Sequence, residues 1–405
     1  MIPIKIFNDP VHGFIEVPKG ILLDLINHPY VQRLRRIKQL ALSSYVYPGA
    51  EHTRFSHAMG ALHLTQLALN VLKNKNINIT PDEYISTLIA ILLHDIGHGP
   101  FSHALEHVLI PGLNHETLSL ELMKRLNSEF KGELSLAIQI FQNQYTKKFL
   151  HQLVSGQLDM DRMDYLMRDS FFTGVVEGIV GTERIIKTLY VVDNQLVVEE
   201  KGIYSVEKFI IARRLMYWQV YLHKTAVTAE TMLVNILKRV RYLYAQNEIQ
   251  WIDENLKYFL SMTNFNEIDD ETIARFVSLE DVNILYALQQ WRYEKDKVLS
   301  DLCSRLLSRK LFKLQMHSEP FSEKIVRNKK SFFQQKYQLT EQDVPYYVYT
   351  GELSNQAYFH SDQNEILISY KNGTLKNLPE ASDISHLQAL AENVVKYYLV
   401  TPEYN

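Results

Sequence analysis

The segment Leu93-His94-Asp95-Ile96-Gly97-His98-Gly99-Pro100-Phe101-Ser102-His103 sets three histidines and an aspartate close together, directly after the uncharged run Ile85–Leu93. That run reads as a buried helix. Ending a buried helix in His-Asp is costly unless something compensates the polar groups. A metal ion does so, because neutral imidazole and carboxylate are its usual ligands. Adjacent residues on one helix point about 100° apart, so His94 and Asp95 reach one ion only at a helix end or kink, which Gly97 supplies. Two further ligands must come from elsewhere. The candidates are His57, in Arg54-Phe55-Ser56-His57, and Asp161, in Asp159-Met160-Asp161-Arg162-Met163-Asp164-Tyr165. Singly, each piece also reads as a capping pair, a core histidine or a solvated face. Their joint occurrence on predicted helices carries the metal reading.

The elements that must position these residues are mostly helical from about residue 17 to 325. Apolar residues recur at three- and four-residue spacing in Gln32–Leu42, His57–Lys73, Pro81–Leu93, Glu116–Leu126 and Ser205–Tyr244. Thr80-Pro81-Asp82-Glu83 is a helix start, with a capping threonine, a proline in the first turn and an acidic residue three positions on. Leu189–Glu199 alternates around Asp193-Asn194 and predicts a β-hairpin. After Pro345, Tyr346–Tyr349 and Glu365–Tyr370 predict short strands, Asn372-Gly373 a turn, and Ile384–Tyr398 a closing helix. The expected fold is mainly α: a helical domain over residues 1–325, with its motif core about 50–170, then a small α+β lobe over 326–405. Lys324–Lys336 reads as the connector.

Two side-chain stripes stand out. Asp161, Tyr165 and Arg168 fall at i, i+4 and i+7, with Asp169 four after Tyr165. Arg213, Tyr217, Tyr221 and Lys224 fall at i, i+4, i+8 and i+11. On residue type alone, a tyrosine–arginine–lysine stripe reads equally as a solvated face or a ligand face.

The whole chain narrows the field. Its 405 residues are 46% hydrophobic and 22% charged, an ordinary globular composition. A net charge of −3 gives no global basic field for nucleic acid. The one cysteine, Cys303, excludes an intramolecular disulfide and a cysteine-based zinc knuckle. The N-terminus has no signal-peptide core and no apolar run approaches the ~20 residues that span a bilayer. A cytoplasmic protein with no membrane partner is expected.

The pattern His57…His94-Asp95…Asp161 is the signature of the HD-domain metal-dependent phosphohydrolases. The likeness extends to Pro10–Glu16, Gln32–Leu40, Tyr47–His57, His94–His103, Asp161–Asp169 and Tyr221–Lys224. These segments resemble the deoxynucleoside-triphosphate triphosphohydrolases: the vertebrate enzyme that joins a sterile-alpha-motif domain to an HD domain, and its bacterial relatives. The resemblance is to the catalytic core alone.

That resemblance implies that His57, His94, Asp95 and Asp161 hold a divalent metal (Fe, Mn, Ni, Zn or Mg), and that Mg accompanies the substrate triphosphate. It gives His98, His103 and His115 acid/base work or phosphate contact, with Glu106 where the family has aspartate. It makes Arg54, Arg162 and Lys224 the phosphate-holding cations. By the same resemblance, Tyr165 and Asp169 hold the sugar 3′-hydroxyl, Tyr221 and Leu40 pack under the sugar, Gln39 meets the sugar or base edge, and Arg213 and Tyr217 contact the nucleotide. Tyr217 replaces a histidine of the vertebrate enzyme, so base preference does not carry over. The implied reaction is cleavage of a dNTP to deoxynucleoside and inorganic triphosphate by water attack at the α-phosphorus.

By the same resemblance, Lys5, Ile6, Asn27, Gln32 and Arg35 match the positions where the vertebrate enzyme binds an activating nucleotide between subunits, and a dimer or tetramer is implied by analogy. Asn27 stands where a guanine-selective relative has aspartate. A carboxylate accepts both guanine N1 and N2 donors and an asparagine does not, so weakened guanine selectivity is expected. Two other readings compete. One is an HD-type phosphatase or phosphodiesterase on other nucleotides. The other is a nucleotide or single-stranded nucleic-acid binding module with weak catalysis.

Overall fold

The computed structural model describes residues 4–109, 112–262, 268–355, 365–384 and 393–403, apart from the side chains of His103 and His107. The fold is mainly α. A buried helix, Pro81–Leu93, sits at its centre with every residue from Ser86 to Leu93 buried. It starts as expected: Thr80 and Glu83 exchange side-chain-to-backbone hydrogen bonds and Pro81 occupies the first turn. The long helix Arg54–Asn74 packs beside it and against Met160–Thr173. Among the described residues, no helix is long and apolar enough to cross a membrane.

Among the described residues, three small sheets flank the helices. Strands β1 (Ile4–Asp9) and β2 (Gly13–Pro18) form an antiparallel hairpin. Strands β3 (Leu189–Val192) and β4 (Gln195–Glu199) form the expected hairpin, with Asp193 and Asn194 left-handed at its turn. Strand β5 is Lys313–His317, β6 is Tyr349–Asn355, β7 is Leu367–Ser369, β8 is Leu375–Asn377 and β9 is Val394–Thr401. The second sheet runs β3-β4-β7-β8 and the third β5-β9-β6. Both pair strands from either side of residue 325.

Several expected elements differ. Gln32–Leu42 is not one helix: a short turn, Pro29–Gln32, leads into a 3-10 turn, Arg33–Arg36. The chain then extends to bridge Lys38 with Thr53, and Lys38 N–H donates to Asp281. Ser205–Tyr244 is two helices, Ile203–Met216 and Lys224–Ala245, separated by a π-type turn over Tyr217–Tyr221. His223 restarts the helix by accepting the Thr225 N–H. The Arg213–Lys224 stripe therefore crosses a break. Lys324–Lys336 lies inside a helix, Glu323–Tyr337. Val344–Tyr346 is a 3-10 turn, with β6 starting at Tyr349. The closing helix is replaced over Val394–Thr401 by β9, whose backbone bonds to β5 and β6 on both edges; residues 385–392 of that prediction lie outside the described residues.

The turn after the central helix is clamped from behind. Ser119 Oγ accepts the Gly97 N–H at 2.9 Å and donates to His94 O at 2.7 Å. Buried Arg33 donates to Ile96 O, and Asp281 accepts the Phe101 N–H at 2.8 Å. Phe101 and Ser102 sit in the left-handed region, at φ 53° and 50°, a strain that such clamps must hold. A side chain at Gly97 would overlap His115 O and Ser119 N. Gly97→Ala is therefore expected to lower stability by about 1–3 kcal/mol, read as a lower urea midpoint; an unchanged midpoint contradicts this close packing.

Candidate metal centre

His57, His94 and Asp161 converge so that one ligand atom from each lies within 4.8 Å of the others. His57 stands in the first turn of the Arg54–Asn74 helix, which Thr53 caps. His94 is the C-cap of the central helix, and Asp161 is in the first turn of Met160–Thr173, capped by Asp159. Helix ends, not helix faces, thus bring the donors together. His57 Nε2 lies 3.0 Å and His94 Nε2 3.5 Å from Asp161 Oδ1. Both nitrogens are buried without a well-aligned hydrogen bond.

The far nitrogens are engaged. His57 Nδ1–H donates to Asp164 Oδ2 at 2.8 Å, and His94 Nδ1–H donates to Ile91 O at 2.6 Å. Each bond fixes the tautomer that leaves Nε2 as the lone-pair donor, the usual support of a metal-binding histidine. The donor set and these unsatisfied nitrogens fit a divalent ion. Asp95 completes the ring: Oδ1 is 3.5 Å from His94 Nε2, and Oδ2 is 3.8 Å from His57 Nε2. Its Oδ2 also accepts from Arg54, whose Nε donates to Ser102 Oγ at 2.7 Å. Arg54 is buried and turned onto Asp95.

Charge follows geometry. Burial pulls the His57 imidazole down, but Asp161 and Asp164 outweigh it and raise it to about 10. Burial acts to raise the Asp161 carboxyl, but His57 and His94 hold it well below the usual carboxylate range. Burial, then the Arg54 charge, pushes His98 well below its ordinary value.

A cavity of about 500 Å³ opens on His94, Asp95, Asp161 and His115, with Phe141, Gln144 and His151 on its far wall. His115 begins the His115–Glu129 helix, capped by Asn114, and its ring stacks on His98 with centroids 4.0 Å apart. Glu106 accepts both the backbone N–H and Nδ1–H of His115, at 2.6 and 2.7 Å. The side chain of His103 lies outside the described residues.

A second cluster adjoins the first through Tyr165, whose ring is 6.5 Å from His57 and 6.0 Å from Tyr221. Asp169 accepts from Tyr221 Oη at 2.8 Å and from His52 Nε2 at 2.7 Å. Gln39 N–H donates to His52 O, and Leu40 is buried beside it. Tyr217 packs on Tyr221, with the buried Arg213 6.0 Å from its ring. Arg162 is held by Asp159, and Lys224 is exposed.

Arg168 does not share the stripe of Asp161 and Tyr165. It is fully buried, bonded to Asp164 and Asp9. Lys5, Ile6, Asn27 and Arg35 are exposed, Gln32 is half-buried, and Arg35 donates to Gln32 while lying over the Phe55 ring.

Residue types and spacing did not single out Asp9, His12, His52, Asp164 or Asp281. The available signals were the turn-forming Asp9-Pro10-Val11-His12-Gly13 and the i, i+4 pair Asp164–Arg168.

A family model described as HD domain matches residues 54–169, and one described as HD associated region matches 180–257. The chain is similar to a phosphohydrolase from Bacteroides thetaiotaomicron whose structure is solved, with 48% identity and a TM-score of 0.95 over 99% of this chain and 100% of that one. It is 35% identical over 320 residues to protein YwfO of Bacillus subtilis, covering 76% of this chain and 71% of that one. It is 31% identical over 279 residues to the deoxynucleoside triphosphate triphosphohydrolase SAMHD1 of Gallus gallus, covering 58% of this chain and 45% of that protein.

A metal must displace the proton on His57, so uptake by the metal-free protein should release protons and tighten as pH rises toward 10. Calorimetric titration with Mn²⁺ in buffers of differing ionisation enthalpy reads the release directly. Affinity constant between pH 6 and 9 contradicts the arrangement.

Proposed function

The chain belongs to the HD-domain phosphohydrolase family, and we propose that it cleaves deoxynucleoside triphosphates to deoxynucleoside and inorganic triphosphate. The observation that carries this reading is the junction of two clusters at Tyr165: metal-class donors on one side, and on the other Asp169 bonded to Tyr221 and His52. When bound, a divalent metal lowers the pKa of a water and polarises a phosphoryl oxygen.

The chain's own groups do the rest. Glu106 accepts the Nδ1–H of His115 and so orients the ring, and in the imidazolium form its Nε2–H gives a proton to the departing 5′-oxygen. His98, stacked on His115 and kept neutral by burial, accepts or passes a proton beside it. Arg54 and Arg162 supply positive charge for phosphate oxygens. Tyr165 and Asp169 take the 3′-hydroxyl, and a Tyr221 ring packed under the sugar would exclude a ribose 2′-hydroxyl. Lys224 adds a third phosphate-holding cation, and Gln39, Leu40, Arg213 and Tyr217 border the rest of the nucleotide. The reading extends to a cytoplasmic homo-oligomer activated by a nucleotide at Lys5, Ile6, Asn27, Gln32 and Arg35, with little preference for guanine at Asn27.

Incubation of the protein with each dNTP and Mn²⁺ is expected to yield inorganic triphosphate by anion-exchange chromatography. Asp161→Ala should reduce the rate to background and abolish metal retention. Release of monophosphate and pyrophosphate contradicts the reading and favours a phosphodiesterase-type reaction. Oligonucleotide binding without turnover favours a binding module.

A further inference from the structure

We propose that the β1–β2 hairpin is a working part of the metal centre, its Asp9 and His12 holding the Asp164 carboxylate in the orientation that aims His57 at the ion. Asp164 is fully buried and accepts four hydrogen bonds. Oδ2 takes His57 Nδ1–H at 2.8 Å and Arg168 Nε–H at 2.9 Å. Oδ1 takes His12 Nε2–H at 2.6 Å and an Arg168 terminal N–H at 2.9 Å. The two Arg168 bonds form a fork that fixes the carboxylate plane. His12 holds the oxygen that His57 does not use.

The hairpin loop is built to deliver both groups. Asp9 Oδ1 accepts the backbone N–H of Val11 and of His12, each at 2.9 Å. This folds the loop back, and Gly13, at φ 74°, completes the turn. The same Asp9 carboxylate reaches Arg168, at 2.8 Å from Oδ2. Arg168 thus lies between two carboxylates, one from the hairpin and one from the ligand helix. Gly60 leaves the space: a side chain there would overlap Asp164 Oδ1 and the Arg168 guanidinium. A purely structural role for the network predicts loss of stability alone. A positioning role predicts loss of metal affinity in protein that is still folded.

The inference rests on the metal reading of the site, and one titration separates the two. Metal-stripped protein is titrated with Co²⁺, monitored by its visible absorption bands. His12→Ala, folded by circular dichroism, is expected to bind Co²⁺ about 10- to 100-fold more weakly. His12→Gln, which keeps a donor for Asp164, should recover most of that loss. Phe14→Ser, on the exposed face of the same hairpin, should bind like the native chain. Native affinity in His12→Ala, or an equal loss in Phe14→Ser, overturns the proposal. If His12→Ala does not fold, Asp9→Asn decides: several-fold weaker Co²⁺ binding supports the proposal, native affinity overturns it. A native chain that binds no Co²⁺ sinks the metal reading itself.

Discussion

A fully buried carboxylate, Asp164, is the constraint on which the site depends. A carboxylate removed from water must be paired and hydrogen-bonded, or it takes up a proton. Asp164 is held well below the usual carboxylate range because Arg168, His12 and His57 together outweigh its burial. Three separated segments must therefore meet at one point: the N-terminal hairpin, the Arg54–Asn74 helix and the Met160–Thr173 helix. Once they meet, His57 has one orientation, and its free nitrogen faces Asp161 and His94. Removing one partner leaves the remaining bonds to hold a buried charge, at a cost in how firmly the cluster is set.

The second half of the centre is held by backbone. His94 and Asp95 lie just past the last turn of an apolar helix that cannot shift without opening the core. Its carbonyl at Ile91 orients His94, and the turn beyond it is clamped by Arg33, Ser119 and Asp281. Those clamps are what permit Phe101 and Ser102 to stay left-handed, and they set His98 against His115. Rigid support of this kind keeps donors near productive geometry before any ion arrives.

What the sequence makes legible is local. His94 and Asp95 stood out because Gly97 ends the apolar helix that carries them, and His57 and Asp161 only through their joint occurrence with that pair; the fold brings His57, His94 and Asp161 together. The Thr80 capping box and the Asp193-Asn194 hairpin were readable from their local residues. Partners distant in the chain were not. Asp281 reads as an ordinary first-turn acid until Lys38 and Phe101 donate to it. Val394–Thr401 is an apolar run that suits helix or strand, and only pairing with Lys313–His317 and Tyr349–Asn355 makes it a strand. The π-type turn at Tyr217–Tyr221 leaves the helical period almost intact, so spacing alone does not reveal it.

The two halves of the site differ in how they are satisfied, and that difference bears on selectivity. The metal-side imidazoles are held through their far nitrogens, by Asp164 and by Ile91 O, which leaves the near nitrogens facing Asp161. The groups of the second cluster satisfy each other: Asp169 already accepts from His52 and Tyr221. A ligand on that side must replace bonds rather than add them. Replacing a buried bond with nothing costs about 1–3 kcal/mol. A ligand that offers nothing in place of those bonds is therefore disfavoured there. The two clusters thus meet a ligand on different terms, and Tyr165 is where they touch.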